Sequence, residues 1–204
     1  LFHHQLLAPV PTETGTDGLA IGDPYAVSQA GEVGIYLHQL NTIVGTLTAD
    51  QTLAFPGLNT GGEPPLFGIQ TLSADVNGDF LPDLIIGAPG ADDHDEAGQS
   101  LVDRGAVYLY LSDETGTFPT TPNHTLLGSD AYGYFGAAIT LSNLNSDHVP
   151  ELVISASDAG VVFLVPVDEL LTASPITIDA IDRKATFSSP DTTTTFGYTL
   201  NAGA

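Results

Sequence analysis

One spacing recurs along the chain and constrains its fold more than any other feature. Phe67-Gly68 and Phe135-Gly136 each stand 17 residues before a leucine that heads an apolar run, Leu84 and Leu152. Phe2 stands the same 17 residues before Leu19, and Phe196-Gly197 starts the pattern once more. The four phenylalanines are 65, 68 and 61 residues apart. After each leucine-headed run comes a glycine and a third apolar stretch: Gly31 to Leu37, Gly105 to Leu111, Gly160 to Val165. A weaker fourth strand signal follows each time, at Ile43 to Leu47, Thr125 to Leu127 and Ile176 to Ile181. Four strands per unit at this period describes the blade of a β-propeller. The competing architecture is a β-sandwich whose hairpins resemble one another by chance.

The residues between the markers agree with strands. Leu84-Ile85-Ile86, Val107 to Leu111 and Val161 to Val165 are short apolar runs rich in β-branched and aromatic residues. Bounded by turn formers, such runs read as strands covered on both faces. No long helical period competes with them; Asp168-Glu169-Leu170-Leu171 accounts for one helical turn at most. The fold class is all-β.

Charge narrows the function. Against 25 Asp and Glu there are 3 cations, Arg104, Arg183 and Lys184, for a net charge of −22. Phosphate backbones and anionic lipids need clustered Lys and Arg, so both are excluded as partners. Carboxylates with so few internal counter-charges point to bound cations or a salty medium. With no Cys, disulfides and thiolate chemistry are also excluded. No apolar run approaches the 18 or so residues of a membrane span. The chain begins at Leu1 rather than Met, and the expectation is that it derives from a longer polypeptide.

Asp75, Asn77, Asp79 and Asp83 occupy positions 1, 3, 5 and 9 of a short loop, with the Leu81 carbonyl at position 7. Alternate positions converge as a backbone curls, and three carboxylates with two neutral oxygens suit Ca²⁺ rather than zinc or copper. Gly78 eases the curl. The EF-hand loop shares this beginning, but no helices flank the segment and no glutamate stands at position 12. Phe80 at position 6 is expected to take a left-handed backbone there, at a cost of roughly 1–2 kcal/mol. The third unit presents the same register as Asn143, Asn145, Asp147, the Val149 carbonyl and Glu151, with two carboxylates and therefore weaker affinity. In the first unit the register falls on Val10, Thr12, Thr14 and Gly18, with Glu13 and Asp17 out of phase, and no metal is expected.

Leu66-Phe67-Gly68, the segment Asp75 to Pro89 and the later Gly105-Ala106-Val107-Tyr108 together resemble an FG-GAP repeat. This is the repeat of the integrin α-subunit propeller and of many secreted proteins. The third unit has Ser155-Ala156-Ser157 where Gly-Ala-Pro would stand; the first has His3 for Gly and Gly22-Asp23-Pro24. The family's calcium loop joins two strands and ends at its ninth position, as the Asp75–Asp83 loop does. The resemblance implies an arc of about three four-stranded blades, roughly 1–48, 66–128 and 134–182, with the first strand of another at 195–204. The family's rings close with seven blades, so further blades of a longer chain, or neighbouring chains, are expected alongside. It also implies an extracellular or cell-surface module in which Ca²⁺ is structural and loops on one face meet a protein or glycan partner. Some members carry such a propeller beside a catalytic domain, including a secreted phospholipase, so a non-catalytic accessory or glycan-binding role in a larger enzyme is the alternative.

The remaining candidates are weaker. Asp92-Asp93-His94-Asp95-Glu96 reads as a solvated acidic loop ahead of a second cation site. His3-His4 face opposite ways on a strand, and His38, His94 and His124 lack ligand spacing. No Gly-x-Ser-x-Gly or His-Glu-x-x-His occurs, and the chain is expected not to be an enzyme. Asn123-His124-Thr125 matches the N-glycosylation pattern. Tyr132 and Tyr134 could stack on a sugar, although an aromatic lead-in to Phe-Gly also fits packing.

Overall fold

The computed structural model describes residues 7–10, 18–37, 48–94, 98–144, 150–182, 184–190 and 196–201. Three antiparallel sheets follow one another along the chain. The first pairs β1 (Leu7–Val10), β2 (Gly18–Asp23), β3 (Glu32–Tyr36) and β4 (Gln51–Ala54) in sequence order. The second begins with β5 (Gln70–Ala74) and β6 (Asp83–Ala88). After a ribbon of β7 (Asp93–His94) and β8 (Ser100–Leu101), it continues with β9 (Ala106–Tyr110) and β10 (His124–Leu127). The third holds β11 (Phe135–Ser142), β12 (Glu151–Ala156) and β13 (Val161–Pro166). Beyond β14 (Ile176–Thr177), β15 (Ala185–Ser188) completes it. This is an all-β arc of propeller blades.

Strand alternation explains how the blades stack. In β6 and β9, successive side chains point to opposite faces. Leu84, Ile86, Tyr108 and Tyr110 join a core with Val33, Ile35 and Leu53 of the first blade. Ile85, Val107 and Leu109 join another with Phe135, Ile139, Leu152 and Ile154 of the third. All residues of β6 and β9 are buried. A strand between two blades must be apolar at every position, which is why those runs do not alternate.

The Phe-Gly pairs stitch neighbouring blades. The Phe67 N–H donates to the Ala30 carbonyl at 3.1 Å, and the Phe135 N–H to the Arg104 carbonyl at 3.2 Å. The Phe67 ring sits among Phe55, Tyr108 and Tyr110, with centroids 5.8–6.5 Å away. Backbones approach so closely that glycine is required. A Cβ on Gly87 would lie 2.3 Å from the Gly136 carbonyl oxygen, and one on Gly22 2.0 Å from that of Gly68. The Gly of Gly-Ala-Pro thus makes room for the next blade's Phe-Gly.

Two fourth strands differ from expectation. Of the segment 176–181, only Ile176–Thr177 forms a strand, and it pairs in parallel with Leu126 and Leu127 of the second blade. Ile178 and Ile181 turn into the core between blades two and three. The third blade's outer strand is β15, whose residues are all exposed, so it carries no apolar pattern. In the first blade the outer strand is Gln51–Ala54, and the expected Ile43 to Leu47 lies outside the described residues. The one helical turn is present at Val167–Leu170, with Val167 and Leu170 buried.

Candidate metal centre

The Asp75–Asp83 loop joins β5 to β6. Its acidic side chains fold inward onto the loop's own backbone. Asp75 Oδ1 accepts the Gly78 N–H at 2.7 Å, and Oδ2 the Phe80 N–H at 2.9 Å. Asn77 Oδ1 accepts the Asp79 N–H at 2.9 Å. Asp79 Oδ1 accepts the Leu81 N–H at 2.8 Å, while its Oδ2 accepts Asn77 Nδ2 at 2.8 Å. These bonds hold Asp75, Asn77 and Asp79 in one curl. Phe80 takes the left-handed backbone, φ 68°, with its ring 91% exposed, and Gly78 has φ 82°.

Asp83 is the loop's buried floor. Its Oδ2 accepts the Val76 N–H and its Oδ1 the Ser112 N–H, both at 3.0 Å, which ties the loop to the chain just beyond β9. Burial pushes its carboxyl above the usual range; the two N–H donors oppose this, and the charges of Asp79 and Asp75 add to it. Among the described residues no cation pairs with these charges. Arg104 is buried, donates to the Gly128 carbonyl and pairs with Asp93 at 3.1 Å. Lys184 donates to the carbonyls of Asp179 and Ile181. Nowhere among the described residues do three His, Asp or Glu groups gather around one point, and Asp75, Asp79 and Asp83 do not form such a cluster. Like charges repel, and each carboxylate is satisfied instead by N–H donors. The donor set is nonetheless all oxygen, triply charged and curled in the required register, which fits a hard cation such as Ca²⁺.

The third blade repeats the loop's closing bond. Glu151 Oε2 accepts the Leu144 N–H at 2.8 Å, with the same seven-residue separation as Asp83 to Val76. Glu151 is 2% exposed, and its Oε1 has no partner among the described residues. Asn143 is exposed at the loop's start; Asn145, Asp147 and Val149 lie outside the described residues. In the first blade Gly18 pairs with Val10, a hairpin one residue tighter than Asp83 with Ala74 or Glu151 with Ser142. Val10 therefore does not correspond to Asp75, and Thr12 and Thr14 lie outside the described residues.

The acidic run after β6 is not a solvated loop at Asp92. Asp92 is 4% exposed and accepts the N–H groups of Thr60, Gly61 and Asp103. Asp103, 1% exposed, accepts the Glu63 N–H at 2.9 Å and the Tyr134 hydroxyl at 3.2 Å. Together they clamp the loop that leads from β4 into Phe67. Backbone N–H donors make burial of these charges tolerable, and a charge count along the sequence cannot register that.

The FG-GAP repeat profile matches residues 67–110. Over 90 residues, 44% of this chain, the sequence is 33% identical to phosphatidylinositol-glycan-specific phospholipase D of Homo sapiens. It is 37% identical over 95 residues to integrin alpha-IIb of Mus musculus, and 29% identical over 150 residues, 73% of the chain, to integrin alpha-8 of Gallus gallus. The matches span 10%, 9% and 13% of those proteins' own lengths. With Phe-Gly pairs seated on the preceding blade's glycines, stacked β-sheets and this match, the chain carries an FG-GAP repeat at residues 67–110 and is similar to the integrin α-subunit propeller.

Proposed function

We propose that the chain is a calcium-stabilised, non-catalytic binding module that works outside the cell, in adhesion, surface assembly or partner capture. The observation that carries the reading is the Asp75–Asp83 loop: three carboxylates and an amide oxygen curled in calcium register, with no cationic side chain bonded to them among the described residues. Asp75, Asn77, Asp79, the Leu81 carbonyl and Asp83 hold the ion. Bound there, Ca²⁺ supplies the positive charge that the loop lacks. Asp83 relays that order to the sheet, because its two oxygens are fixed by N–H groups on either side of the blade. Glu151, with one buried oxygen unpartnered among the described residues, supports a second and weaker site with Asn143, Asn145, Asp147 and the Val149 carbonyl. Extracellular calcium, in the low-millimolar range, suffices for a module of modest affinity. Similarity to two kinds of large protein, integrin alpha chains and a phospholipase D, supports a module that serves different parents. An accessory propeller of a secreted enzyme is therefore the second reading. No helix among the described residues is long and apolar enough to cross a membrane.

The test is thermal unfolding with Ca²⁺, with Mg²⁺ and with a chelator. Ligands that bind only the folded state stabilise it by mass action, about 2.7 kcal/mol at a hundred times Kd. Calcium should raise the melting temperature, Asp79→Ala should remove most of that rise and Thr14→Ala none of it. Equal calcium shifts in both variants, or no shift in the unaltered chain, would refute the assignment.

A further inference from the structure

At the end of the strands opposite the Asp75–Asp83 loop lies a cavity of about 480 Å³, within the range of about 300–1,000 Å³ usual for small-molecule sites. Its wall is made by the repeats themselves. Leu66 and Tyr134 precede their Phe-Gly pairs, while Ile69, Ala137 and Tyr198 follow theirs, and all five line it. The turn after each second strand supplies Tyr25, Pro89, Ser157 and Asp158, and Gln70, Thr199 and Leu200 complete the wall. The chemistry enters where the repeats depart from one another. After Phe-Gly, Ala137 stands between the larger Ile69 and Tyr198 of the neighbouring repeats, and its small side chain leaves space. The turns read Gly-Asp-Pro-Tyr at 22–25, Gly-Ala-Pro-Gly at 87–90 and Ser-Ala-Ser-Asp at 155–158. Tyr25 and Asp158 thus stand where the second blade has Gly90, and both line the cavity. Tyr134 is held in place, since its hydroxyl donates to buried Asp103.

Among the described residues no Lys or Arg lines the cavity, and the Asp158 carboxylate there disfavours an anionic ligand. We propose that this cavity binds the ring of a neutral carbohydrate. Tyr25, Tyr134 and Tyr198 offer aromatic faces to the apolar C–H side of a pyranose. Asp158 accepts hydrogen bonds from ring hydroxyls, and the Gln70 amide and Thr199 hydroxyl both donate and accept. An organic cation would use the tyrosines and Asp158 but leave the amide and hydroxyls without a role; a polyhydroxylated ring uses all of them. The proposal rests on the reading of the chain as a binding module and names what that module binds. It does not involve the cation loop.

The experiment is saturation-transfer NMR on the whole chain in calcium. The probes are the methyl glycosides of glucose, galactose, mannose and N-acetylglucosamine, with tetramethylammonium as the cationic probe. A single-ring site this open should show a Kd on the order of 1 mM. At least one glycoside should bind. Ala137→Phe should abolish the signal by filling the cavity. Asp158→Ala and Tyr198→Ala, both at exposed positions, should each weaken it about tenfold. Tyr132→Ala, exposed and outside the cavity, should leave it unchanged. Binding of none of the four glycosides, equal binding by all the variants, or binding of tetramethylammonium in their place overturns the proposal. Calcium-dependent melting on the same samples separates the two readings: a retained calcium shift without a saccharide signal removes the sugar site alone.

Discussion

Gly87→Ala tests the stacking of the second and third blades at its tightest point. The added Cβ would lie 2.3 Å from the Gly136 carbonyl oxygen and 3.2 Å from Ile139 Cδ1. Ordinary carbon–oxygen contact begins near 3.3 Å, so the overlap is about 1 Å. Neither backbone can turn away. Gly87 is paired on one side with Gln70 and on the other with Val107. Gly136 has φ 90°, and its own neighbour Phe135 is pinned to Arg104 and buried. The blades must separate locally by a similar distance, and a gap of about 0.5–1 Å forfeits a quarter to a half of each dispersion contact along the interface. Overpacking of this kind costs about 1–3 kcal/mol, and the backbone clash places this variant at the upper end. For a chain of this size about 3 kcal/mol corresponds to a fall in Tm of roughly 6–12 °C. Gly78→Ala is the control. Gly78 has φ 82°, but a Cβ there meets nothing within 4 Å, so its cost is the left-handed strain alone, about 1–2 kcal/mol. Urea unfolding followed by circular dichroism measures both. If Gly87→Ala costs no more than Gly78→Ala, the glycine is not there for close approach and the account of blade stacking is wrong.

Two further changes probe single residues. Phe80 holds φ 68° while its ring is 91% exposed, so Phe80→Gly should relieve about 1–2 kcal/mol of strain, lose about 0.5–1 kcal/mol to unfolded-state freedom, and leave a small net gain in calcium-free urea unfolding; a loss of stability would show that the ring is held by contacts. Asp103 has its carboxyl raised, first by burial and then by the charges of Asp92 and Glu63, against the bonds from the Glu63 N–H and the Tyr134 hydroxyl. The folded chain therefore holds that proton more tightly than the unfolded one. The stability this provides is complete below the ordinary value of 3.8 and is lost as pH rises through the raised value. Asp103→Asn keeps both bonds, with the amide oxygen accepting from Glu63 and the amide N–H donating to Tyr134. Its advantage over the unaltered chain should grow with pH across that window in urea unfolding; a constant difference at every pH would show that the charge is not the cause.

The period of the Phe-Gly pairs was legible in the sequence because a repeated unit repeats its spacing, and the unbroken apolar runs and the carboxylate register because each depends on neighbours a few residues away. A run such as Leu84-Ile85-Ile86 announces burial on two faces whatever lies across from it. The left-handed turn at Phe80 and the closing bond from position 9 to the N–H of position 2, made by Asp83 and again by Glu151, likewise follow from local loop geometry. What the chain does between blades was not legible. Nothing local to Ile176-Thr177 directs it to the edge of β10 in the preceding blade, and nothing in Ala185–Ser188, exposed throughout, marks a strand. Backbone pairing leaves no signature on side chains that face water. Asp92 looked like solvated charge, and Asp103 carried no signal, because their backbone N–H donors come from residues 11 to 40 positions away in sequence. The cavity needed the tertiary structure most of all: Tyr25, Ala137, Asp158 and Tyr198 belong to three different repeats, and only the stacking of blades, each seated on the glycines of the one before, brings them to a common wall.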